Sequence, residues 1–146
     1  MPIKSFRGKM KDDTIDVVNL ATNTGSTGYR IIKFRLMPSN LNTNQEACVK
    51  IYKVPQTTAT MEIDFSDNTL VAAARYTESS AADTRSEDMH VLFDNEVFNQ
   101  DVYITHKNND NVPINYYIEL EQIKLDLNEN TVATLKDIRN IVNPLP

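Results

Sequence analysis

Short segments that alternate apolar and polar residues recur about every ten residues along this chain, and most are closed by Asn, Asp or Pro. The clearest runs from Tyr29 to Met37. Ile32, Phe34 and Leu36 share one parity, Lys33 and Arg35 take the other, and Pro38 stops the run. A period of two places apolar side chains on one face of a strand, so such segments need a second layer to cover them. Similar runs span Ile3–Met10, Thr14–Leu20, Cys48–Val54 (stopped by Pro55), Thr60–Phe65, Leu70–Thr77, His90–Phe93, Asp101–His106 and Ile114–Leu125. There is no strand–helix–strand alternation of the kind that builds a parallel sheet. The pattern predicts an all-β fold, an antiparallel β-sandwich of jelly-roll type, closed by one short C-terminal helix.

Turn chemistry supports this reading. The chain has only 3 glycines but 16 asparagines, which cluster with Asp and Ser between the apolar runs. Asn and Asp tolerate left-handed backbone and bond their own main chain, so they can replace Gly in turns. In the last strand Tyr116, Ile118 and Leu120 share one parity and Ile123 and Leu125 the other, which predicts a bulge near Glu121–Gln122. The polar segment Glu78–Asp88 reads as a mobile loop. Asn128 is a suitable N-cap for a helix over 129–142, whose stripe is Val132, Leu135, Ile138 and Val142; Pro144 and Pro146 end it. The stripe serves either to cover one end of the sandwich or to dock on a neighbouring subunit. The organisation expected is an N-terminal arm or edge strand at 1–11, a β-sandwich at 12–127, and the helix and tail at 128–146.

The chemistry-bearing residues point away from catalysis. No Gly-rich phosphate loop and no Gly-x-Ser-x-Gly elbow is present. His90 and His106 lie on separate strands without metal-like spacing and read as strand-surface residues. Cys48 is the only cysteine and reads as a small buried thiol. Asp64/Asp67 and Asp94/Glu96 read as turn caps, with Ca²⁺ binding by Asp94–Asn95–Glu96 as the sharper alternative. No catalytic residue, metal or cofactor is expected. Six tyrosines and no tryptophan favour side chains that bridge core and water over a sugar-stacking platform. No apolar run approaches a signal peptide or a membrane span, so the chain is expected to fold in a cytoplasm without a membrane partner.

Net charge is −5, which argues against general nucleic-acid binding. The charge is unevenly divided. Residues 1–73 carry 9 basic and 7 acidic side chains, and residues 74–146 carry 6 and 13. Such a split permits head-to-tail contact between copies, although solvated faces account for it as well. The first eleven residues hold Lys4, Arg7, Lys9 and Lys11 together with Ile3, Phe6 and Met10. They read either as a solvated sheet edge or as an arm that contributes more to partner binding than to folding. The partner-binding residues expected are Lys4, Phe6, Arg7 and Lys9 on this segment and Leu135 and Ile138 on the helix.

Several stretches carry a family resemblance: Gly28–Phe34, Val49–Tyr52, Asp64–Leu70, Phe98–His106, and Tyr116 through Arg139. Through them the chain resembles small structural proteins of tailed bacteriophages of marine bacteria. The likeness spans nearly the whole chain. It implies a virion component rather than an enzyme, and it supplies no catalytic residues. On this resemblance the chain is expected to be a head decoration, or cement, protein that binds the major capsid protein lattice or other virion proteins. It would act as a homo-oligomer, with a trimer as one arrangement, and reside in the virion. The alternative is a sugar- or receptor-binding β-sandwich module of a tail fibre or host cell.

Overall fold

A computed structural model of the chain describes residues 2–21, 25–40, 44–81 and 84–125. Eight strands follow in order: β1 (Ile3–Met10), β2 (Thr14–Val18), β3 (Thr27–Pro38), β4 (Gln45–Tyr52), β5 (Leu70–Ala81), β6 (Thr84–Phe93), β7 (Val102–Asn108) and β8 (Ile114–Lys124). They form two antiparallel sheets, a three-stranded one of order β1-β8-β3 and a five-stranded one of order β2-β7-β4-β5-β6. The pairs nest from the chain ends inward: β1 with β8, β2 with β7, and β4 with β5. This is the jelly-roll nesting, with one departure: β6 stays beside β5 and widens the second sheet instead of joining β3. The expected all-β sandwich is therefore the observed fold. The helix expected at 129–142, with Leu135 and Ile138, lies outside the described residues.

One continuous apolar core fills the space between the sheets. Ile31, Phe34, Ile118 and Leu120 contribute from the smaller sheet, and Val49, Ile51, Val71 and Ile104 from the larger. Phe34 is 0% exposed. Full burial of a side chain that size contributes about 1.5–3 kcal/mol. Turn residues behave as their chemistry requires. Asp13 and Asn111 take positive φ (61° and 54°) in the β1–β2 and β7–β8 turns, where an L-residue other than Asn or Asp is strained. Asp101 Oδ1 accepts from the Leu20 and Ala21 amides (2.7 and 2.9 Å), and Asp12 Oδ1 accepts from the Asn108 amide (2.6 Å), so acidic side chains stitch the loops to β7.

Four local expectations change. The bulge falls in β3 rather than β8: the register shifts between Ile31↔Leu120 and Lys33↔Glu119, leaving Ile32 as the extra residue. Ile31 and Phe34 can then both face the core, while β8 keeps its alternation from Ile114 to Leu120. The polar stretch Glu78–Asp88 supplies paired residues of β5 at 78–81 and of β6 at 84–88, with Glu78 opposite Glu87 and Thr77 opposite Asp88. Its polar composition suits an edge strand, where charges discourage further pairing. Thr60–Phe65 is not a strand. Both edges of β4 and both edges of β5 are already paired, so the segment joining them finds no free ladder. Instead it lies over the outer face of the five-stranded sheet, where Ile63 packs on Tyr52, Leu70 and Ala73.

The N-terminal segment is the fourth change. β1 pairs with β8 along its full length, from Ile3↔Glu121 to Met10↔Ile114. Met10 is buried, Phe6 packs against the core, and the ring of Tyr116 lies over Gly8, where an added Cβ would come within 2.9 Å of it. Residues 3–10 are an integral edge strand. The reading of an arm that matters little for folding does not hold, because the strand carries core burial as well as a full ladder of hydrogen bonds.

Candidate functional site

An open cleft of about 690 Å³ lies beside the 53–69 segment, at the Leu70 and Phe93 ends of β5 and β6. Phe65, Leu92 and Phe93 stand in its wall with 69%, 61% and 37% of their surface exposed. Isolated exposed apolar side chains are ordinary on proteins, but three around one concavity mark a contact surface. Asp67, Asp94 and Glu96 ring the same cleft. Lys53, itself buried, donates from Nζ to Glu96 Oε1 at 2.7 Å and ties the β4 end to the irregular segment after β6.

The carboxylates are used as caps and ion-pair partners. Asp67 Oδ1 accepts from the Thr69 amide and hydroxyl (2.8 and 2.6 Å), and Asp64 Oδ1 accepts from the Ser66 amide and hydroxyl (2.9 and 2.5 Å). These bonds to Ser66 hold the Asp64 carboxyl below its usual range. Asp94 begins the return segment by donating its backbone amide to Val71 O (2.9 Å). Among the described residues no group of three His, Cys, Asp or Glu side chains comes together as a metal site.

The two histidines have opposite environments. His90 is exposed on β6 and meets Asp88 Oδ2 at 2.9 Å. His106, expected on a strand surface, is fully buried. β7 places it on the core side with Val102 and Ile104. Its Nδ1 donates to the carbonyls of Lys11 and Met10 (2.9 and 3.2 Å), and its buried Nε2 has no hydrogen-bond partner among the described residues. Burial holds its pKa below the usual histidine value, although those carbonyls and Asp12 act in the other direction. The imidazole closes the β1–β2 turn against β7, which is a structural task.

Under the 53–69 segment lies a feature that the alternation of β4 conceals. Lys50 is 2% exposed. Its Nζ donates to Glu62 O (2.5 Å) and Thr60 Oγ1 (2.9 Å) and sits 5.6 Å from the Tyr52 ring centre. A buried ammonium needs such partners to offset its lost hydration. Lys50 thus fastens the overlying segment to the sheet. Cys48, on the same face and fully buried, has its thiol pKa raised by burial. A second buried polar chain ties β5 to β4 and β7: Asn108 Nδ2 donates to Gln45 Oε1 (3.1 Å), and Gln45 Nε2 and Tyr76 Oη donate to Glu78 Oε1 (3.3 and 3.4 Å).

The outer face of the three-stranded sheet differs from everything described so far. Arg7 and Lys9, expected in partner binding, are exposed there. Tyr117 lies directly between Arg7 on β1 and Arg35 on β3 in the strand register. Its hydroxyl donates to Glu119 Oε2 (2.6 Å), a bond that raises the tyrosine pKa. Lys4 and Phe6 have the opposite parity and do not share this face: Lys4 lies 5.8 Å from the Tyr29 ring centre, and Phe6 packs on the core. The expected set of Lys4, Phe6, Arg7 and Lys9 is thus divided between two sides of β1. Tyr29, Tyr52, Tyr76 and Tyr116 are buried.

No family model, curated protein or solved structure matches this chain. The function must be argued from its surfaces. Sequence reasoning missed the cleft because Phe65 is far in the chain from the adjacent Leu92 and Phe93, and each fits a strand pattern that marks it for the core.

Proposed function

We propose that this chain is a structural component of a tailed-phage virion, acting as a head decoration protein on the lattice of the major capsid protein. The family resemblance of the sequence motivates the reading. The observation that carries it is the exposed Phe65–Leu92–Phe93 cluster, a contact surface on a domain otherwise built from interlocked strands. A repeated building block needs such surfaces, since copies on a lattice gain avidity from many modest contacts. The reading assigns the chain no catalysis and no cofactor. Its partners are virion proteins and further copies of itself. The net charge of −5 counts against nucleic acid as a general ligand.

The alternative, a sugar- or receptor-binding module, would use the same cleft, where Phe65 and Phe93 stand near Asp67 and Asn68. Leu92 beside two phenylalanines favours a protein partner, because an aliphatic side chain offers a sugar no stacking surface. The deciding experiment is quantitative composition of purified particles, followed by imaging of their location. A copy number comparable with that of the major capsid subunits, on the head exterior, is expected. Absence from particles would overturn the virion reading, and a few copies confined to fibres would favour the alternative.

A further inference from the structure

The outer face of the three-stranded sheet and the cleft on the five-stranded sheet have opposite charge and lie on opposite sides of the sandwich. On the first, strand register brings Arg7 and Lys9 of β1 beside Arg30, Lys33 and Arg35 of β3, across the width of β8. Only Glu119 and Glu121 on β8 oppose them. Glu121 is ion-paired with Arg30 and Glu119 accepts from Tyr117, so five cations against two carboxylates leave three positive charges on one face of an acidic protein. Ile3 and Met37 are exposed at the margins of the face and Tyr117 lies at its middle, which adds apolar area. In the cleft, Asp67, Asp94 and Glu96 stand among Phe65, Leu92 and Phe93, with Lys53 as the one cation lining it among the described residues.

We infer that the basic face of one copy docks on the acidic, apolar cleft of a second copy, giving a head-to-tail contact. Charge complementarity with apolar area on both sides is what a specific polar-rimmed interface uses for register and association rate. A nucleic-acid partner fits less well, because Glu119 and Glu121 occupy the central strand of the basic face, where a phosphate backbone would run. Two different patches on opposite sides make the contact heterologous, so copies close into a ring or continue as a chain. The inference names the surfaces behind the homo-oligomer reading and does not rest on a capsid partner. Particle composition tests that partner, and the behaviour of the purified chain tests this contact.

Sedimentation velocity of the full chain at about 10 mM and about 1 M salt, where the Debye length is about 30 and 3 Å, is the first measurement. Species larger than the monomer are expected at low salt, with a shift toward monomer at high salt. Two variants follow, Arg7→Glu/Arg35→Glu on the sheet face and Phe65→Ala/Asp94→Lys in the cleft. Each alone should weaken association by at least about tenfold. Mixed together, they should form a dimer and stop there, since one retains an intact cleft and the other an intact face. All four substituted side chains are exposed, and melting curves check that the variants fold; Arg7→Gln/Arg35→Gln replaces the first if it does not. A wild-type chain that is monomeric at both salts overturns the inference. So does association that survives either variant, or a mixture that remains monomeric. Binding of an oligonucleotide or a glycan by a monomeric chain would assign the surface to that ligand and overturn it equally.

Discussion

The two sheets share one core but treat their outer faces differently. The three-stranded sheet leaves its outer face to water, and its strands alternate cleanly: buried Ile118 and Leu120 on β8 are separated by half-exposed Glu119. The five-stranded sheet is covered on both sides at its centre, and β4 from Ala47 to Tyr52 is buried at every position. One-sided burial writes a period of two into the sequence, whereas two-sided burial erases it. The 53–69 segment is what converts the second sheet to the two-sided kind, and Lys50 is the bolt that holds it there.

Four experiments press on this difference. The largest effect should come from the open sheet's edge. Removing residues 1–11 exposes the β8 ladder and Tyr116 and takes Met10 from the core, so the truncated chain should aggregate or fail to melt cooperatively. A melt close to that of the full chain would contradict the integral role of β1. Next, Lys50→Ala should cost about 1.5–3 kcal/mol in denaturant unfolding, because it removes a buried side chain and its hydrogen bonds to the Glu62 carbonyl and Thr60 hydroxyl. It should also speed proteolysis within 53–69. Lys50→Met, which keeps the stem, should recover part of the stability but not the protection.

The third test is pH. The His106 pKa is depressed in the folded state, so the unfolded chain binds the proton first as pH falls. Stability from this group should be complete above about pH 6.5, the ordinary histidine value, and decline below it toward the folded-state pKa. His106→Gln should flatten that part of the stability–pH curve, and an unchanged slope would remove His106 from the account. The smallest effect is expected on the open face. Arg30→Ala, which breaks the half-exposed pair with Glu121, should change stability by about 1 kcal/mol or less. A larger loss would mean that this face is packed more tightly than its exposure indicates.

The same contrast explains what could be read from the chain. β1, β3 and β8 were legible almost to the residue, since each has one wet face, and the Asp and Asn turns followed from their backbone tolerance. The bulge was foreseen as a need but placed on the wrong strand. Parity changes appear both at Ile31–Phe34 and after Leu120, and only the cross-strand register shows which strand absorbs the extra residue. Thr60–Phe65 alternates like a strand, yet pairing depends on a free edge elsewhere, a non-local fact. Likewise His106 reads as a surface residue until β2 and the β1–β2 turn close over it. Of the interaction surfaces, Arg7 and Lys9 were legible as a basic strand. Their joining with Arg30, Lys33 and Arg35 was not, because β8, which lies between β1 and β3, is distant from both in the chain.

That placement of β8 also sets a timetable. The smaller sheet has no central strand, and β1 and β3 have no partner in it, until the ribosome has passed Lys124. Meanwhile β4, β5 and β6 form a local meander that can pair early, while β2 waits for β7. Long-range closure of this kind is slow and leaves unpaired edges waiting. Three of the eight strands are thus joined into a sheet only after β8 has been made, and until then no β8 ladder holds Phe34 and Ile31 of β3 against the wall that β4 and β5 provide.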